Sequence, residues 1–275
     1  MRKVIAIFLI SIEILVLSVG IDVPKELGYP RLCETINYRI IRLQYETRQS
    51  HISFVYPAFD TMSLYPKRSE SLNKLNKLIE EKVNELWKAN EKEYLYVYNS
   101  ISNSKDEFNK KMSIYYEVEF IIAAITFEFV SIIFHARMYL GGNHDSHYVL
   151  VLNYDIDKAK EVKLPDIFKS DVDYKSKINE IIKKRIISID DPLKVPPNAY
   201  YYNKLPVADF KGMKDTDQVA ITPYGLAVIL QTYNVYSPYT HGFPIITIPY
   251  DMLDGFTEDF LKIIRDFRNL LNFHY

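Results

Sequence analysis

Cysteine is almost absent: Cys33 stands alone among 275 residues. That excludes an internal disulfide and leaves stability to the apolar core. Cys33 lies well past the N-terminal apolar run with no small-residue lipobox before it, so it marks no lipid anchor. It either pairs between chains or is inert. Charge of one sign is also missing, the formal net charge being -1, and no global basic field points to nucleic acid. There is no Gly-x-Ser-x-Gly elbow, no glycine-rich phosphate loop and no His-Glu-x-x-His zinc helix. No segment beyond the N-terminus is apolar and long enough to cross a membrane.

What is present is ordinary in amount, 48% hydrophobic and 25% charged, enough for a real core in one large domain or two small ones. Tyrosine is the outlier, with 23 residues. Its rigid ring and polar tip suit surfaces that bind proteins or glycans, and it is equally a good strand residue. At the N-terminus Arg2 and Lys3 precede the apolar run Val4–Leu17, followed by Ser18-Val19-Gly20. This pattern reads as a secretory signal over residues 1–20, with cleavage expected after Gly20. The alternative is an uncleaved anchor, the one way this chain would touch a membrane, but the run is short for a span and contains Glu13. The expected location is secreted or periplasmic. Cleavage removes Arg2, Lys3 and Glu13, leaving a charge of -2.

The chain is organised around Ile125–Asp157. ITFEFVSIIFHARMYL, rich in Phe, Ile and Val, is followed by GGNHDSH and then YVLVLNYDID. Two such runs about a Gly/Asn/His/Asp segment predict a β-hairpin, its first arm a buried central strand. After an extended lead-in at 21–35, strands are expected at Asn37–Tyr45, His51–Phe59 (stopped by Pro57), Lys92–Ser100, Ser113–Ala124, Gln218–Thr222, Gly225–Val235 and Ile245–Ile248. Three-to-four spacing predicts a helix over Ser69–Asn90, with Ser69 as N-cap, and another over Asp173–Ile187. Leu164–Phe168 reads as one tight helical turn, and Pro192–Pro206 as a loop. The closing helix opens with Thr257 as N-cap and a Phe256/Leu261 staple. Without regular βαβ alternation the order fits an α+β fold: a largely antiparallel sheet with helices packed on it, in one or two closely associated subdomains. The expected divisions are residues 36–110, 111–254 and a C-terminal helix at 255–275.

Histidines are the first place to look for chemistry. His144, Asp145 and His147 cluster in the hairpin turn, and His241 lies in the similar loop SPYTHGF. A His-x-x-His pair with a carboxylate and a third histidine could hold a metal, but a glycine turn does not preset that spacing. The other reading is polar turn residues, and neither metal nor cofactor is expected. Glu128, inside an apolar run, is either an acid of raised pKa or the partner of a Lys or Arg on a neighbouring strand. A recognition surface is the remaining candidate. Tyr139, Asn143, His144, His147, Tyr236, Tyr239 and His241, with Tyr200–Tyr202, fall in or beside loops bordering the sheet, as a binding face requires.

Three stretches carry a family resemblance. HISFVYPAF with SLNKLNKLIEEKV resembles the opening of the domain that precedes the catalytic module in PdaC-type peptidoglycan deacetylases. FVSIIFHARMYLGGNHDSHYVLVLNYDI with VKLPDIF resembles its middle. ITPYGLAVILQTYNVYSPYTHGFPIITIPYDML resembles its close. The combination is similar to the extracytoplasmic half of RsiV-type anti-sigma factors, which sense lysozyme. It covers roughly residues 36–254 and matches at Tyr139, Gly141, Gly142, His144, Tyr236, Tyr239 and Gly242. The resemblance implies an exported, non-catalytic binding or accessory domain at the cell envelope, whose partner is an envelope protein or glycan, lysozyme-like or peptidoglycan. With only Met1-Arg2-Lys3 before the apolar run and no deacetylase module after Tyr275, it reads as that domain standing alone. An exported hydrolase or metal enzyme acting on cell-wall material through His144, His147 and His241 is the rival.

Overall fold

A computed structural model describes residues 16–18, 36–61, 66–188, 210, 212–214, 217–230 and 245–272. Cys33, the lead-in, the loop with Tyr200–Tyr202, and Tyr236, Tyr239 and His241 lie outside the described residues. The chain divides into two compact units, residues 1–120 with 134–146, and residues 121–133 with 147–275.

In the first unit β1 (Val16–Ser18) pairs antiparallel with β2 (Asn37–Glu46), which pairs antiparallel with β3 (Ser50–Phe59). The chain then crosses over through α1 (Pro66–Ser102) and the short α2 (Glu107–Lys111). It returns as β4 (Ile114–Ile125), parallel to β3 with Ser50 opposite Ile114. Helix α1 buries the stripe Leu72, Leu75, Ile79, Val83, Leu86, Asn90 and Tyr94, at the three-to-four spacing of one face. That stripe meets an aromatic layer in which Trp87 lies 5.1 Å from Tyr116, 5.6 Å from Tyr94 and 6.0 Å from Phe54, edge to face. Asn76 fixes the end of β3, accepting from Phe59 N at 2.7 Å and donating to Phe59 O at 2.8 Å.

The second unit contains most of β6 (Ser146–Asp155), then β7 (Lys160–Glu161), a 3₁₀ turn at Leu164–Ile167, α3 (Tyr174–Ser188), β8 (Gln218–Thr222), β9 (Gly225–Ile229), β10 (Ile245–Ile248) and α4 (Glu258–Asn272). Strand β5 (Phe129–Tyr139), like β4, has residues in both units. Strands β1 to β7 stand side by side in chain order, and β10-β9-β8 form a separate antiparallel sheet. Helices α3 and α4 close a core of Phe129, Ile178, Ile182, Val228, Ile248 and Phe267. Thr257 caps α4 by accepting from Phe260 N at 3.4 Å. A second cluster, Val149 and Val151 with Ala220, Ala227 and Ile229, joins β6 to the small sheet.

One buried side chain ties that sheet down. Asn153 Oδ1 accepts from Ser131 Oγ at 2.8 Å and from Ile221 N at 3.0 Å, while Nδ2 donates to Val219 O at 2.8 Å. Alongside it Val151 N donates to the Gln218 side chain at 3.1 Å.

The architecture is α+β, with the hairpin, helices α3 and α4 and strands β8 to β10 where they were expected; β8 to β10 form a sheet of their own, and β5 lies between β4 and β6. Four local readings are corrected. Lys92–Ser100 is helix, because Tyr94 and Ile101 extend the buried stripe of α1 and the Tyr94 hydroxyl reaches Ser50 Oγ at 2.7 Å. That helix starts at Pro66 rather than after a Ser69 cap, proline being preorganised for a first turn. Pro57 sits inside β3 opposite Ile40 and does not stop it. The hairpin's first arm begins at Phe129, since Thr126–Glu128 is a turn closed by Thr126 N donating to Phe129 O at 2.8 Å.

Two substitutions test this description. Ile132 is fully buried, and Ile132→Asp places a charge in the core at a cost of several kcal/mol; circular dichroism should show no cooperative melt. Asn153→Ala strands Ile221 N, Val219 O and Ser131 Oγ and should cost about 2–4 kcal/mol. A denaturant midpoint unchanged from wild type would contradict that role.

Candidate functional site

The residues that carry the family resemblance are first of all structural. Asn153-Tyr154-Asp155 supplies the tie just described, a fully buried ring, and a carboxylate that accepts from Lys158 N at 2.8 Å to close the next turn. Asp166 does the same for the 3₁₀ turn, accepting from Lys163 N at 2.8 Å. The Tyr250 hydroxyl donates to Thr222 O at 2.7 Å, and burial pushes its pKa well above the usual value. Gly225 has φ +145°, and a Cβ there would strike the Ile248 carbonyl oxygen. Gly141, at φ +88° in the long hairpin's turn, leaves room for the Met112 side chain.

A different constellation has the character of a site. Alternate residues of a strand share a face. On β4, Tyr116 and Val118 point inward, fully buried, so Tyr115 and Glu117 belong to the opposite face. The parallel register sets His51 of β3 opposite Tyr115 and Ser53 opposite Glu117. Strand β5 contributes Arg137 and Tyr139. Glu117 is held by Arg137 Nη2 at 2.5 Å on one carboxylate oxygen, with His51 Nε2 3.8 Å from the other. Partial burial works against the Arg137 charge, and the Glu117 carboxylate more than offsets it, holding the guanidinium above its ordinary value. Tyr115 stacks on Tyr139, with ring centroids 5.6 Å apart at 25°. Its hydroxyl donates to Asp145 Oδ2 at 2.7 Å, and burial followed by that carboxylate raises its pKa to about 12. The result is a half-buried row of aromatic, anionic and cationic groups pinned to one another, with orientations fixed before any ligand arrives. Such a surface can stack on a flat apolar face and exchange hydrogen bonds with hydroxyl or amide groups around it.

Of the expected site residues, Tyr139 belongs to this row. Asn143 and His144 are exposed in the adjoining turn, whereas His147 is half-buried at the start of β6. Tyr236, Tyr239 and His241 lie outside the described residues. Among the described residues no three His, Cys, Asp or Glu side chains are placed to hold a metal. Sequence reasoning missed His51, Tyr115, Glu117, Arg137 and Asp145 as a set. The available signal was the polar half of the alternation in IYYEVEF. Glu128 stands in the Thr126–Glu128 turn and pairs with Lys262 of α4 at 2.6 Å, a helix rather than a neighbouring strand. Beside it, burial and then the Glu128 charge raise the pKa of Asp157.

Comparison with known proteins bears on the class. Residues 165–251 match a family model described as "Protein of unknown function (DUF3298)". The chain is 33% identical over 81 residues to the peptidoglycan-N-acetylmuramic acid deacetylase PdaC of Bacillus subtilis (strain 168), a match that takes in 28% of this chain. The matched stretch spans only 17% of the length of that enzyme. Two crystal structures of DUF3298 family proteins share the fold. One, from Bacteroides fragilis, has a TM-score of 0.52 at 18% identity, covering 94% of this chain and 99% of its own. The other, from Pseudomonas aeruginosa, also scores 0.52, at 14% identity, covering 81% and 94%. The protein is thus an α+β chain with the fold of these two structures, and its residues 165–251 match the model of a family of unknown function. These findings bear on the PdaC side of the resemblance, not on the RsiV side. Among the described residues no helix is long and apolar enough to cross a membrane.

The Tyr115–Asp145 bond has a measurable signature. The Tyr115 phenol should titrate near pH 12 in ¹³C-tyrosine spectra, and Asp145→Asn should lower that value towards 10. A group bound more tightly to its proton in the folded state stabilises below its unfolded pKa of about 10 and loses that contribution as pH rises to about 12. Alkaline destabilisation over that window should therefore be smaller in Asp145→Asn.

Proposed function

We propose that this chain is an exported, non-catalytic binding or accessory domain that recognises a protein or glycan of the cell envelope. The observation that carries the reading is the row His51, Tyr115, Glu117, Arg137 and Tyr139 on one face of β3, β4 and β5, where Glu117 pairs with Arg137 and Tyr115 stacks on Tyr139. The signal-like N-terminus and the partial identity to a peptidoglycan-modifying enzyme support the compartment and the ligand class. Preorganised aromatic and charged groups lose little conformational freedom on binding, which is where such surfaces gain affinity. Asn143 and His144 flank the row. Tyr236, Tyr239 and His241 belong to the same proposal through their motif alone. A lysozyme-like protein and peptidoglycan are the two partners the resemblance supplies.

Three measurements decide the matter. Protein recovered outside the cytoplasm should begin at Ile21 by mass spectrometry; an intact Met1 start would remove the signal-peptide part. Purified protein should co-sediment with insoluble peptidoglycan or retain a defined protein from envelope extract. Arg137→Ala combined with Tyr139→Ala should cut that retention by about tenfold, as loss of two central contacts does. Equal retention by the double variant would move the site elsewhere. Stoichiometric zinc that disappears in His144→Ala would replace this reading with that of a metal-dependent enzyme.

A further inference from the structure

An open groove runs along one face of α4, lined by Tyr250, Leu253, Phe256, Leu261 and Ile264, with a volume of about 320 Å³. Its two ends carry opposite charge. Glu258 stands at one end, in the first turn of the helix, and Arg265 and Arg268 stand at the other. All three are exposed, and among the described residues none of them is in an ion pair, although the Arg265 charge acts on the neighbouring Asp266 carboxylate. This is unlike Lys262 on the same helix, which is engaged with Glu128. Arg265 lies seven positions beyond Glu258 on the helix, an axial rise of about 10 Å between their backbones. An extended tripeptide spans about 10 Å.

We propose that this groove binds a short apolar peptide with free termini, the ammonium group against Glu258 and the carboxylate against Arg265 and Arg268. The two guanidiniums, three residues apart on one face, can share a carboxylate, and such charge-assisted contacts are the stronger class of hydrogen bond. Glu258 offsets the positive helix end that would otherwise favour an anion there. The aromatic and leucine floor takes aliphatic side chains and offers no polar group to a longer polar ligand. A fatty acid would satisfy the arginines and leave Glu258 unmatched, whereas a peptide of this length matches both ends. The inference stands on residues 250–268 alone and does not depend on the strand face proposed above.

Calorimetric titration of the full chain with Leu-Ala-Leu, its N-acetyl form and its C-terminal amide tests the assignment. The free tripeptide should bind with Kd near the millimolar range. Blocking either terminus should weaken binding at least about threefold, the scale of one partly exposed charge contact. In Glu258→Gln the acetyl form should bind as well as the free peptide. In Arg265→Gln with Arg268→Gln the amide should lose its disadvantage. Equal binding of all three ligands, or none at about 10 mM, overturns the proposal. Sensitivity to amidation alone overturns it too, in favour of a simple carboxylate site.

Discussion

The second unit depends on one carboxamide. Strand β8 is an edge strand of its sheet, so half of its backbone groups face away from β9 and require partners. Asn153 supplies them, accepting from Ile221 N and donating to Val219 O, while Ser131 holds its oxygen from the other side. A side chain that satisfies two strands' groups at once fixes which residues of β8 lie against β6. A slip of one residue would turn Ala220 away from Val149 and Val151 and would strand the amide. From β8 the constraint passes to β9 by ladder pairing and to Tyr250 through its bond to Thr222 O. The floor of the α4 groove is therefore set by an asparagine several strands away in sequence.

Most of the fold was legible because periodicity reports burial directly. The helices at 174–188 and 258–272 and the strands at 218–222, 225–229 and 245–248 stand where spacing and turn residues place them. Lys92–Ser100 was misread because Tyr94, Tyr96 and Tyr98 alternate with apolar residues, which mimics a strand. What decides the segment is the burial of Tyr94 at the helical interval from Asn90, and of Ile101 beyond it, while Tyr96 is exposed. The site was less legible for a related reason. Tyr139 stood out as an aromatic beside a turn, but Glu117 and His51 become neighbours only through the parallel register of β3 and β4. Nothing local in the sequence announces a parallel pair, since its register is fixed by what packs on α1.

The motif residues and the polar row divide the labour. Gly225, Gly141, Asp166 and Tyr250 sit where the backbone turns tightly or a buried carbonyl needs a donor, so their chemistry is used up in holding shape. His51, Glu117, Arg137 and Tyr139 contribute little to a core, and their mutual contacts hold orientation instead. Relatives at 14–18% identity keep the fold.

The crossover through α1 has a kinetic side. Strands β5 and β6, like β8 and β9, are joined by short turns and can pair within microseconds of chain collapse. Strand β4 can meet β3 only after the whole of residues 60–113 has been gathered in between, with α1 formed and laid against its strand. The entropy of closing that loop is lost before any contact rewards it. Until it closes, β4 and the inward side of β3 present bare apolar edge to other chains. A newly made chain is consequently most exposed to aggregation at the very strands that later carry the polar row.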